Sequence, residues 1–337
     1  MFPEPTRWLG VLVRAPGDGD GDGDRLPPEA RPVGRAALML RAEGIGVVFG
    51  DELVAGRLSG WIARPGAWAR RREVPVEALH DRFASQTYPR AYQAVLDGMA
   101  DLPMGNPLDL TVLCRDKLAS QRLLEAAGFA MPAVQDDPSR FEATLADWGS
   151  AFLKPRYGAF GRGVQRVQTG DPLPAQGEGA VVGVIEPLFL QRGVTPPSGW
   201  SGWSLRVLVQ RISGGDWVVA SRVLRRSRED PVVNVARGAE VGPADRVLEP
   251  DRVRALDALS VAVARAIAHQ PWGRTAVELG VDAVVDDRGA FHVIEVNSRP
   301  QGRLEALAEQ DPERWADAHV EACARPLRYL ARLEPRP

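Results

Sequence analysis

The chain has 337 residues, 45% of them hydrophobic and 26% charged, with a formal net charge of −2. That balance fits a globular chain and excludes a disordered, fibrous or membrane-spanning one, because no apolar run nears the ~20 residues a spanning helix needs. It also gives no bulk electrostatic case for nucleic acid or anionic lipid.

The two cysteines, Cys114 and Cys323, make neither a disulfide framework nor a metal cluster, so a reducing cytoplasm is the expected setting. Trp8 to Val13 is too short for a signal-peptide core. Of the 42 basic residues only Lys117 and Lys154 are lysines, leaving 40 arginines. Asparagine is nearly as scarce, at Asn106, Asn234 and Asn297. Such a bias makes the survivors candidates for positions where no substitute serves.

In chain order, residues 8–14 and 45–49 read as short buried strands flanking a helix over 34–42, an α/β unit. Residues 18–24 alternate Asp and Gly, and Asp18, Asp20, Asp22, Gly23 and Glu29 match calcium-loop spacing. The flanking strand, Pro16 and Pro27-Pro28 argue instead for a solvated acidic loop. A helix over 90–100 and a connector over 103–107 follow. Leu118, Leu123, Leu124 and Ala127 share one helical face between Asp116 and Gly128. Strands are expected at 151–154, 163–167 and 181–187, then a Gly/Pro/Ser-rich loop over 192–202. Residues 204–211 and 216–224 read as a strand pair, 253–268 as a helix, 291–296 as a buried strand and 312–333 as an amphipathic helix.

Polar residues interrupt this frame at four places. Glu295 and Asn297 lie two apart on a strand, so they face one side, and Asp282 meets them across a hairpin turning at 286–289. Oxygen ligands of this kind suit Mg²⁺. His292, on the same strand, is expected to face the core. A strand delivering Lys154 runs into Gly158, Gly161 and Gly163, where backbone N–H groups can approach phosphate oxygens. It is not a Walker loop, because no Gly-Lys-Ser/Thr follows. Asp116-Lys117 opens a helix. Arg206, Arg222, Arg225, Arg226 and the run Asn234-Val-Ala-Arg237-Gly238 supply forked guanidiniums suited to phosphate or carboxylate.

The order of these pieces over roughly 110–305 resembles the ATP-grasp superfamily. The run from Val218 to Gly238 and the Asp282, Glu295-Val-Asn297 end are similar to the ribosomal-protein glutamate ligases. The stretch from Leu79 to Pro132 resembles the endospore-coat-associated ATP-grasp proteins. The resemblance implies an α/β (α+β) ATP-grasp fold: an N-terminal α/β domain over 1–108, a subdomain with a glycine-rich lid over 109–184, and a metal- and substrate-bearing subdomain over 185–337. It implies that Lys117 and Lys154 contact ATP phosphates, and that Gly158, Gly161 and Gly163 form the lid. Glu186 and Leu188 would hold adenine through backbone groups, and Asp282, Glu295 and Asn297 would bind Mg²⁺, with Mn²⁺ as a substitute. Arg206, Asn234 and Arg237 would lie near the transferred phosphoryl group. Pro187 in the hinge, Ala239 after Arg237-Gly238 and the long 192–202 loop depart from the family pattern.

The implied activity is an ATP-dependent carboxylate–amine ligase working through an acyl phosphate. A phosphotransferase and a non-catalytic coat-type nucleotide binder are the rival readings. The expected partners are small-molecule or peptide acids and amines, with a homodimer as the assembly to test, and neither nucleic acid nor membrane.

Overall fold

The computed structural model describes residues 4–14, 31–64, 67–83, 89–99, 101–158, 161–173, 178–181, 184–233, 237–300 and 303–333. The Asp/Gly run at 18–24 lies outside them. Three sheets carry the architecture. The first has strands β1 (Arg7–Leu12), β2 (Ile45–Val54), β3 (Arg57–Arg64), β4 (Ala67–Pro75), β5 (Ala78–Asp81) and β6 (Met104–Gly105), ordered β4-β3-β2-β1-β5-β6. β1 pairs in parallel with both β2 and β5. Being central and covered on both faces, it reads as an unbroken apolar run, with Leu9, Val11 and Leu12 fully buried.

Helix α1 (Arg31–Ala42) makes the β1–β2 crossover, and α2 (Pro89–Asp97) packs on the other face through Tyr92 and Val95. The antiparallel strands β3 and β4 had no counterpart in the sequence reading. β4 is an edge strand whose exposed residues include Arg70, Arg71 and Arg72, a charged pattern that protects an open edge and conceals the strand period.

Helices α3 (Leu108–Arg115) and α4 (Lys117–Ala126) lead to the second sheet. It comprises β7 (Val134–Gln135), β8 (Ser150–Pro155), β9 (Gln165–Gln168), β10 (Glu178–Val181) and β11 (Val184–Arg192), covered by α5 (Phe141–Trp148). The single strand expected over 181–187 is instead an antiparallel pair, with Val181 opposite Val184. An apolar run continuing through both arms conceals such a turn.

The third sheet has the order β14-β13-β12-β15-β16. Its strands are β12 (Gly202–Arg211), β13 (Trp217–Ser227), β14 (Glu240–Pro243), β15 (Glu278–Val285) and β16 (Phe291–Asn297). Helix α6 (Pro250–Ala268) buries Leu256, Val263 and Ile267 against it, alongside Leu110 of α3 and Leu124 of α4. Helix α7 (Arg303–Gln310) leads into α8 (Pro312–Leu330). Asp311 caps α8 by accepting from Arg314 N, with Pro312 in its first turn. Leu327 and Leu330 of α8 pack on Leu9, Val47 and Leu40 of the N-terminal unit, so the two ends of the chain share one core. No helix among the described residues is long and apolar enough to cross a membrane.

Candidate active site

The third sheet lines up three charged residues across three strands. Arg206 on β12 lies opposite Asp282 on β15, and Asp282 lies opposite Glu295 on β16. Gly280 opposes Asn297, so the carboxamide sits one step further along the same face. Asp282 is only 3% exposed. It takes a two-pronged bond from Arg206, with Nε and Nη2 each at 2.5 Å, and a third from Arg225 Nη2 at 2.7 Å. Asn297 Nδ2 donates to it at 3.2 Å.

Burial works against the Arg206 guanidinium, but Asp282 outweighs it and raises its pKa. For Arg225, burial together with neighbouring Arg206 lowers the pKa despite Asp282. Both side chains nevertheless remain charged. Glu295 is half-buried and has no hydrogen bond or ion pair among the described residues. Its charge still reaches Lys154, Arg206 and Arg225 through space.

Asp282, Glu295 and Asn297 thus offer an all-oxygen donor set with one carboxylate left unengaged, which fits a magnesium site. Among the described residues, no cluster of three or more His, Cys, Asp or Glu exists, so any such site depends on the carboxamide oxygen as well.

Of the two lysines, Lys154 is set in the second sheet and Lys117 at the start of α4. Lys154 sits in β8, and burial, with Lys117 adding to it, pushes its pKa down to about 8 against the pull of Glu295 and Asp282. Lys154 on β8 therefore lies within electrostatic reach of Lys117 on α4, Glu295 on β16 and Asp282 on β15.

Lys117 is the first residue of α4, and its Nζ donates to Gly158 O at 2.8 Å. Asp116 caps that helix through Ala119 N and receives the Arg156 fork at 2.9 and 2.6 Å. Burial works against the Asp116 charge, yet Arg156 and the helix N–H groups hold its carboxyl below the usual carboxylate range. The start of α4 is thereby locked to the loop that leaves β8. In that loop Gly158 has φ +134°, a backbone state that side chains disfavour. Gly161 and Gly163 are also left-handed, at +68° and +70°.

On β11, Leu188 is buried in the core of the second sheet beside Leu153 and Leu190. Glu186 is half-buried, and Pro187 O accepts from Arg156 N at 2.8 Å. Arg237 is exposed and bonds Asp230 Oδ2 at 2.6 Å and the lid carbonyl of Val164 at 3.4 Å, away from the Asp282 group. Asn234 lies outside the described residues. His292 does not face the core as expected: its Nε2 lies 2.9 Å from Asp286 Oδ2 and closes the β15–β16 turn.

Three features escaped the sequence reading. Arg225 was one of many arginines until the β12–β13 register placed it on Asp282. Asn106, 1% exposed with φ +56°, donates to the carbonyls of Glu278 and Ser298 and accepts from Val277 N and Glu278 N. It anchors the start of β15 and the end of β16 from the N-terminal unit, and its rarity was the available signal. Arg299, two residues beyond Asn297, bonds buried Asp81, Tyr92 Oη and Phe83 O, tying the end of β16 to the end of β5.

Residues 203–333 match the family model described as YheC/D like ATP-grasp. Comparison with curated proteins gives no match. Among solved structures, N5-carboxyaminoimidazole ribonucleotide synthetase from Thermotoga maritima is similar at TM-score 0.56 and 12% identity, over 98% of this chain and 77% of that one. D-alanyl-alanine synthetase A from Vibrio cholerae aligns at TM-score 0.55 and 16% identity, over 96% and 99%. The ATP-grasp ligase PsnB, complexed with precursor peptide PsnA2 and AMPPNP, aligns at TM-score 0.54 and 17% identity, over 94% and 98%. The chain thus has the fold of the ATP-grasp structures over nearly its whole length, and residues 203–333 match an ATP-grasp family model.

Proposed function

We propose that this protein is an ATP-dependent carboxylate–amine ligase that forms an amide or peptide bond and releases ADP and phosphate. The observation that carries the reading is the nearness of Lys154, with Lys117 beside it, to the Arg206–Asp282–Glu295 row. Lys117, Lys154, Arg206 and Arg225 oppose two carboxylates, leaving two positive charges, which complements the roughly two negative charges of a magnesium–ATP complex.

Lys117 and Lys154 would hold the phosphates, with Gly158, Gly161 and Gly163 folding over them and backbone groups at Glu186 and Leu188 holding adenine. Asp282, Glu295 and Asn297 would hold Mg²⁺, which would neutralise negative charge on the nucleotide phosphates. A carboxylate oxygen of the acid attacks the γ-phosphorus, the bond to ADP breaks and an acyl phosphate forms. The amine nitrogen then attacks the acyl carbon, the bond to the phosphate oxygen breaks and the nitrogen loses a proton. Arg206 and Arg225 would stabilise the transferring group and the oxyanion. Arg237, which bonds the Val164 carbonyl, would meet the bound acid, a role that Asn234 would share on its sequence motif alone. The N-terminal unit, residues 1–108, and residues 192–240 would shape the acid and amine pockets.

The test is a screen of acid and amine pairs, small molecules and peptides, with ATP and Mg²⁺. ADP and phosphate should appear with an amide product only when both partners are present. Release of AMP would refute the reading. A stable phosphorylated acid formed without an amine would make the protein a phosphotransferase.

A further inference from the structure

Among the described residues, no carboxylate bonds the Lys154 ammonium. It donates to Gln191 Oε1 at 2.5 Å, and Gln191 on β11 is 2% exposed. Gln191 Nε2 donates in turn to Gln121 Oε1 at 3.0 Å. Gln121 on α4, also 2% exposed, donates its Nε2 to Pro132 O at 2.9 Å and to Glu125 Oε1 at 2.8 Å.

The two ends settle the direction of this chain. An ammonium only donates, whereas a peptide carbonyl and a carboxylate only accept. Gln121 must turn its nitrogen toward Pro132 and Glu125, which leaves its oxygen for Gln191. Gln191 must then turn its own oxygen toward Lys154. Reversing either amide would set donor against donor in a buried place.

The relay also has a geometric consequence. Helix α4 begins at Lys117 and carries Gln121 one turn later. Both lysines are therefore referenced to one helix, Lys117 directly and Lys154 through two glutamines. A long, flexible lysine stem has no fixed position of its own.

We infer that Gln191 is a positioning residue for Lys154: it fixes the ammonium beside the metal strand while leaving its charge uncompensated, and Gln121 orients Gln191 for that task. The choice of an amide follows from the ligand. A carboxylate at 191 would form an internal ion pair that phosphate must break, and an apolar residue would leave the ammonium without its anchor.

This inference rests on the nucleotide reading above. It is tested by calorimetric titration of ADP with Mg²⁺ into the full chain, comparing wild type, Q191L, Q191E, K154A and Q191L/K154A. Q191L should weaken ADP binding about tenfold, the scale of one charge-assisted hydrogen bond. Q191E, although isosteric, should weaken it too, because Lys154 is then neutralised internally. The double variant should bind no more than about twofold more weakly than K154A alone, since Gln191 acts through Lys154.

Effects of Q191L and K154A that simply multiply would mean a structural role for Gln191 and overturn the inference. So would a folded Q191L, or a folded Q191E, that binds ADP as wild type does. If Q191L fails to fold, Gln121→Met removes the orienting group from outside the site. A several-fold loss of ADP affinity in that variant supports the relay, and none refutes it. Wild type that fails to bind ADP would refute the nucleotide reading and this inference together, whereas wild-type binding with indifferent Gln191 variants refutes this inference alone.

Discussion

Asp282→Asn separates two accounts of the central carboxylate. A residue that only awaits a metal adds repulsion to the metal-free protein, since Asp282 and Glu295 face each other across β15 and β16. Removing its charge would then leave stability unchanged or raise it. The structure shows a different balance: Asp282 is 3% exposed and compensates two guanidiniums through three bonds of 2.5 to 2.7 Å. Each charge-assisted bond contributes about 1.5–3 kcal/mol, and an amide keeps only part of that. Leaving buried arginine charge uncompensated costs about 3–5 kcal/mol, and Arg225 is itself only 7% exposed. In a chain of this size that lowers Tm on the order of 10 °C. The assay is thermal unfolding in chelator-treated, nucleotide-free buffer. Adding Arg225→Met to Asp282→Asn should recover part of the loss, because one of the two stranded charges is gone. A Tm for Asp282→Asn within about 2 °C of wild type would refute this reasoning.

Further outcomes follow from the same contacts. Lys154→Arg should reduce ATP turnover at least tenfold despite keeping its charge, because a planar fork replaces a compact ammonium; near-normal turnover would reduce the lysine scarcity to coding bias. Lys154, with a pKa of about 8 in the folded chain, contributes stability that rises with pH from there toward its unfolded value of 10.5, where the unfolded chain holds more protons. Nucleotide affinity should move the opposite way, falling by up to about tenfold between pH 7 and 9 as the ammonium deprotonates. Lys154→Met should abolish both trends, read by denaturant titration and ADP binding. Asn106→Ala should cost about 3 kcal/mol by urea unfolding, through four lost hydrogen bonds and a left-handed backbone. Asn106→Gly should recover only the backbone share.

The juxtaposition of Asp282, Glu295 and Asn297 was legible in the sequence because strand alternation and a short turn are local rules. They place Glu295 and Asn297 on one side and bring Asp282 opposite without knowledge of the rest of the fold. The two lysines were legible for a different reason: in an arginine-dominated chain they stand out by composition, and the structure sets them near one another, with Lys154 in reach of Glu295. Scarcity alone did not say what a residue does. Asn106 is as rare as Asn297, yet it serves as a backbone anchor at positive φ.

The Gln191–Gln121 relay could not be read, because two ordinary glutamines 70 positions apart meet only after β11 and α4 pack. Arg225 was hidden among many arginines until the register across β12 and β13 singled it out. The β3–β4 hairpin was missed because an exposed arginine-bearing edge suppresses the alternation by which strands are recognised. His292 was misplaced because its partner, Asp286, lies in the turn rather than the core.

The central claim is that ATP is used to activate a carboxylate as an acyl phosphate, and hydroxylamine tests it without knowledge of the natural amine. With a panel of small and peptide acids, ATP, Mg²⁺ and hydroxylamine, the account predicts a hydroxamate formed in equal amount with ADP for the acid that fits. Formation of AMP and pyrophosphate, or ADP release with that acid and no hydroxamate, would contradict it.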